Sequence, residues 1–155
     1  PYLDVMAPQH VNRSIDVNKI AKEIGLPVIF ADEYFGFHYP NKINGHAAIS
    51  SHDGRGNVYQ ANILRHFKDP QVMGVTYCAC MYDQGGNTLL KDNQNGFYTL
   101  DGEPRTSLIE KVTQINKEVY THSVDPASPK ELKMLHQKLF ETWAANSPTG
   151  KAENF

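Results

Sequence analysis

The sequence predicts an α/β fold in which parallel strands alternate with helices. Short apolar runs at 2–7, 28–31 and 72–81 each precede a stretch of helical periodicity. Gly25 with Pro27, and Asp69 with Pro70, stop the first two helical stretches before the next strand begins. The loops leaving the second and third strands are long, whereas the connections entering them are short. Strand–helix alternation implies right-handed parallel crossovers, and long loops gathered on one rim mark the functional edge of such a sheet.

Residues 2–7 read as the first strand, with Pro8, Gln9 and His10 at its exit. Ser14 or Asp16 caps a helix whose apolar positions are Val17, Ile20, Ala21 and Ile24. The second strand starts at Val28 and delivers Asp32 and Glu33 to its end. A long loop rich in Gly, Asn, His and Ser spans 35–56, and a helix is expected over 57–69 with Tyr59, Ile63 and Phe67 on one face. The third strand, 72–81, is apolar enough to be buried on both faces. A polar stretch follows from Tyr82 to Glu103. Ser107 with Glu110 reads as a capping box for a helix carrying Leu108, Val112, Ile115 and Val119. Ser128 with Glu131 opens a last helix, with Pro129 at its first position and Leu132, Leu135, Leu139 and Trp143 on its apolar face.

The chain has 155 residues, one ordinary domain's length. A formal net charge of -2 with 21% charged residues gives no electrostatic case for nucleic acid or an anionic membrane as partner. The apolar runs fall far short of a membrane span, and no signal-peptide pattern opens the chain. It starts on a strand-like segment without methionine, the expectation for a processed or excised piece. Cys78 and Cys80 would share one face of a strand, poor geometry for a mutual disulfide.

Two constellations compete for function. Side chains alternate along a strand, so Asp32 and Glu33 point to opposite faces, and Glu33 continues the row of Ile29 and Ala31. A buried strand delivering one acid to its rim is how parallel α/β enzymes place catalytic groups; an exposed strand end with two solvated acids is an equal reading. His38, His46, His52 and Asp53 share the long loop, but their spacings match no zinc pattern, and no metal or other cofactor is expected. Gly54-Arg55-Gly56 before a helix start is a weak anion-holding pattern that lacks the Lys-Ser/Thr of a phosphate loop.

The segment 30–37, with Glu33-Tyr34-Phe35-Gly36, resembles the nucleophile strand of β-agarases, retaining glycoside hydrolases with a TIM (β/α)8 barrel. Residues 71–77 with Tyr82-Asp83-Gln84 resemble that family's eighth strand and its exit loop. Gly96-Phe97-Tyr98 and Asp101-Gly102-Glu103-Pro104 resemble the return to its last helix. The resemblance covers about residues 1–120. It implies that 1–124 is the carboxyl-terminal part of a barrel, strands six to eight, and that 125–155 is a carboxyl-terminal helix and tail packed on it. Glu33 is then the nucleophile, and the general acid belongs to a strand outside this chain. Tyr77 stands where the clan usually has a Trp.

Sugars offer apolar faces ringed by hydroxyls, so their sites combine aromatic platforms with polar groups. Gln9, His10, Tyr34, Phe35, His38, Tyr77, Tyr82, Asp83 and Gln84 are the expected substrate-binding residues at the rim. The implied substrate is agarose or a related marine galactan, and the implied partner is the remaining barrel segment. An agarase-like protein is expected to be secreted or periplasmic. A non-catalytic carbohydrate-binding piece using the same aromatic rim is the alternative.

Overall fold

The computed structural model describes residues 4–8, 17–33, 49–77, 81–83, 96–123, 125–148 and 150; at Val17, Asn18, Asp32, Glu33, His122 and Ser123 the backbone alone is described. Among these residues the order is α1 (Val17–Ile24), β1 (Val28–Glu33), α2 (His52–Phe67), β2 (Val72–Tyr77), α3 (Thr106–Ser123) and α4 (Pro129–Asn146). The alternation expected from sequence is present, as a mixed α/β unit with a two-stranded parallel sheet.

β1 is flanked on both sides, although the expected first strand, 2–7, appears among the described residues only as an isolated bridge of Met6 to Val28. On one side it pairs with β2 in the register Val28↔Val72, Ile29↔Gly74, Phe30↔Val75 and Glu33↔Tyr77. On the other, 4–8 runs alongside it: Met6 N–H donates to the Pro27 carbonyl (2.9 Å), Ile29 N–H to Met6 (2.8 Å) and Ala31 N–H to Pro8 (3.1 Å). Val28 packs with Ala21 of α1, and the Phe30 ring lies 4.2 Å from that of His66 in α2. Both therefore face helices. Ile29 lies on the opposite face, where it borders the space over Gly74. The ladder register shifts between Val28 and Ile29 and again between Phe30 and Glu33.

The core lies on the helix side. Val58, Tyr59 and Ile63 of α2, Ile115 of α3, Leu139 and Trp143 of α4, and Ile49 form one buried cluster, with Val75 and Tyr77 of β2 against it. α2 contacts α3, α4 and β2. It begins at His52, five residues before the expected start. Ser51 accepts from Gly54 N–H at 2.9 Å as its N-cap, and Asp53 occupies the first turn. Gly54 and Gly56, read from sequence as loop residues, lie inside the helix. A Cβ on Gly54 would crowd Asn146 of α4, and one on Gly56 would crowd Lys111 of α3. Glycine here permits close helix approach, and the weak anion-holding pattern at Gly54-Arg55-Gly56 lies within the helix and not before its start.

The other boundaries follow the sequence with one shift. Gly25 ends α1 with φ of 71°, the left-handed conformation glycine adopts at little cost. α3 starts at Thr106, so Ser107 lies within the helix and the expected capping box is not its beginning. The second box forms as expected: Ser128 accepts from Glu131 N–H, Glu131 accepts from Ser128 N–H at 2.8 Å, and Pro129 opens α4. α4 docks on α2, and Ser50 N–H donates to the Asn146 carbonyl at 2.7 Å.

Candidate functional site

Glu33 is the last residue of β1 and is the ladder partner of Tyr77, the last residue of β2. The carboxyl ends of both strands thus lie side by side. The N-terminal turn of α2 reaches this end of the sheet through Arg55. That side chain is fully buried; it donates to the Tyr77 hydroxyl at 2.5 Å and to the Gly96 carbonyl at 3.3 Å, and lies 3.0 Å from His52 Nδ1. Arg105, just before α3, approaches the other nitrogen, His52 Nε2, at 2.5 Å and forms an ion pair with Asp83.

This network fastens the exit of β2. Asp83 accepts from Gly96 N–H at 3.0 Å through one carboxylate oxygen and from Arg105 through the other. Its own N–H donates to the Tyr98 carbonyl (2.9 Å), and Phe97 and Tyr98 N–H both donate to Met81 (2.9 and 3.0 Å). Gly96 lies so close to Tyr82 and Asp83 that a Cβ would collide with their backbone. Arg105 N–H closes the far side on the Phe97 carbonyl at 2.9 Å. The side chains of Arg105 and Asp83 are 11% and 9% exposed, so little water screens the pair. Removing either partner leaves a largely buried charge without its counter-ion.

Three of the substrate-binding candidates have described side chains, and they divide by role. Tyr77 lies between β2 and α2, its ring edge-on to Tyr59 at 6.2 Å and 5.5 Å from Phe97, with its hydroxyl on Arg55. Asp83 has both carboxylate oxygens engaged by protein donors. Tyr82 is 52% exposed, and its ring lies 5.6 Å from that of Tyr98 at an interplanar angle of 40°. Gln9, His10, Tyr34, Phe35, His38 and Gln84 lie outside the described residues. Cys78, Cys80 and His46 do too.

His52 and Asp53, two members of the weak metal constellation, are otherwise occupied. The His52 ring faces two guanidinium groups, surroundings that repel a cation, and Asp53 pairs with Lys111 at 2.7 Å. No group of three or more metal-ligating side chains occurs among the described residues. No described helix is long and apolar enough to cross a membrane. Arg55, Arg105, Gly96 and Tyr98 were not singled out as site residues from sequence. Apart from the Arg55–His52 contact, their side-chain hydrogen-bond partners are 13 to 53 residues away, and long-range pairing leaves no local periodicity to read.

No protein-family model matches the chain, and no curated protein does either. Solved structures do. An exo-beta-agarase superposes with a TM-score of 0.60 at 19% identity, over 80% of this chain and 17% of that one. The agarase AgWH50C gives 0.59 at 18% identity, over 79% of this chain and 20% of that one. PfGH50B gives 0.54 at 19% identity, over 68% and 16%. The chain thus shares its fold with part of each protein and spans a fifth or less of their lengths.

Proposed function

We propose that this chain is the carboxyl-terminal part of a (β/α)8 barrel belonging to a retaining glycoside hydrolase, with agarose or a related galactan as substrate and Glu33 as nucleophile. The observation that carries the reading is the position of Glu33, at the carboxyl end of a parallel strand flanked on both sides, in a fold shared with part of two agarases. Barrel enzymes set their catalytic groups at that end of the strands.

The chemistry requires two carboxyl groups about 5–5.5 Å apart. The Glu33 carboxylate attacks the anomeric carbon and forms a glycosyl-enzyme ester. A second acid, supplied by the rest of the barrel, protonates the departing oxygen and then takes a proton from the water that hydrolyses the ester. Surfaces left uncovered in this chain support a larger barrel. Met73 on β2 is 64% exposed, and Ile20 and Ile24 of α1 are 38% and 55% exposed although they lie on its apolar face. In a closed barrel, neighbouring strands and helices cover such residues.

The test is Glu33→Gln in the full-length protein that contains this chain. Hydrolysis of agarose should fall by at least about a thousandfold while oligosaccharide binding is retained, the pattern of a lost transition-state group. Hydrolysis within a few-fold of the unmodified enzyme rules out Glu33 as nucleophile.

A further inference from the structure

The exit of β2 presents an exposed apolar group on a rigidly held frame. Met81, Tyr82 and Leu100 are 60%, 52% and 62% exposed, and Tyr98 lies against Tyr82. Beneath them are the Arg105–Asp83 ion pair, the Gly96 close approach and the Arg55 contacts. Met81 and Tyr82 are neighbours in the chain and Tyr98 lies against Tyr82, and exposed apolar side chains held together mark binding surfaces. A network of buried charges that orders a loop incurs a desolvation cost, and a preorganised binding surface is one way to offset it.

We infer that Tyr82 and Tyr98 form an aromatic platform for a galactosyl unit beyond the cleaved bond, and that Asp83 is a positioning residue holding this platform through Gly96 and Arg105. The inference rests on the glycosidase reading for the ligand class. Two tyrosine rings 5.6 Å apart, one of them half exposed, offer apolar faces and phenol hydroxyls, which suits a pyranose ring of C–H faces and peripheral hydroxyls. In sequence the platform follows β2, whose last residue is the ladder partner of Glu33, so the two belong to the exits of neighbouring strands. Asp83 then has a different function from the one its sequence position indicates. It does not contact sugar; it fixes the backbone on which Tyr82 stands.

The experiment titrates agaro-oligosaccharides calorimetrically into the full-length protein carrying Glu33→Gln, so that no turnover intervenes. Tyr82→Ala and Tyr98→Ala should each weaken binding about tenfold, the scale of a lost aromatic anchor, and Tyr98→Phe should stay within about twofold. Tyr82 is half exposed, so its truncation leaves the fold intact. Affinity unchanged in both alanine variants overturns the platform. Asp83→Asn should also weaken binding, and the double variant with Tyr82→Ala should be no weaker than Tyr82→Ala alone, because the aspartate acts through that ring. Additive losses overturn the positioning role. If the Glu33→Gln parent itself binds no agaro-oligosaccharide, the glycosidase reading fails first.

Discussion

Acid should destabilise this fold through His66, and the size of the effect can be worked out. The ring is 2% exposed, lies 4.2 Å from Phe30 of β1, and its Nε2 is 2.8 Å from the Arg65 guanidinium. Burial foremost, then the charge of Arg65 and the proximity of His136, holds its pKa well below the ordinary histidine value. In the unfolded chain His66 titrates near about 6.5. Below that pH the unfolded state takes up a proton that the folded state refuses. Stability is therefore fully present above the unfolded value and falls as the pH drops, until the folded pKa is reached. The limiting slope is about 1.4 kcal/mol per pH unit, reached below the unfolded value and holding until the folded pKa is approached. Urea denaturation across that range, compared between the unmodified protein and His66→Gln, isolates the residue because the other six of seven histidines titrate in both. The variant should lose that part of the slope whatever its stability at neutral pH. Equal slopes in the two proteins would refute the reasoning.

Further consequences concern the frame of the site. Trp143 lies in the cluster joining α2, α3 and α4, and Trp143→Ala should cost about 3–5 kcal/mol, read by circular dichroism in denaturant. It is the chain's one tryptophan, so its fluorescence in the unmodified chain reports on this core. Gly96→Ala forces a Cβ into the backbone of Tyr82 and Asp83 and should destabilise by about 1–3 kcal/mol; an unchanged unfolding midpoint contradicts that contact.

What sequence made legible was set by local signals. α1 was readable because its periodicity ends at a glycine with positive φ, and α4 because its capping box is contained within four residues. The start of α2 was hidden for an opposite reason. Gly54 and Gly56 weigh against a helix locally, while the contacts that require them come from α3 and α4. The same distinction divides the site. Glu33 stands out as an acid after a β-rich run, whereas the Arg55–His52–Arg105–Asp83 network joins residues from α2, the β2 exit and the approach to α3. Asp83 and Tyr77 were noticed for their place after a strand, but their hydrogen-bond partners became visible only in three dimensions. The agarase resemblance read from three short segments recurs in the fold comparisons, at an identity too low for those segments to establish more than the fold.

Chemical rescue tests the central claim most directly. Glu33→Ala in the full-length protein removes the attacking carboxylate and leaves space for a small anion. With azide present, a β-linked galactoside bearing a good leaving group should be turned over again, and the product should be the α-galactosyl azide. One inverting displacement by azide at the place of Glu33 predicts that anomer. No rescue combined with undiminished agarose hydrolysis, or a β-galactosyl azide as product, would contradict Glu33 as the nucleophile.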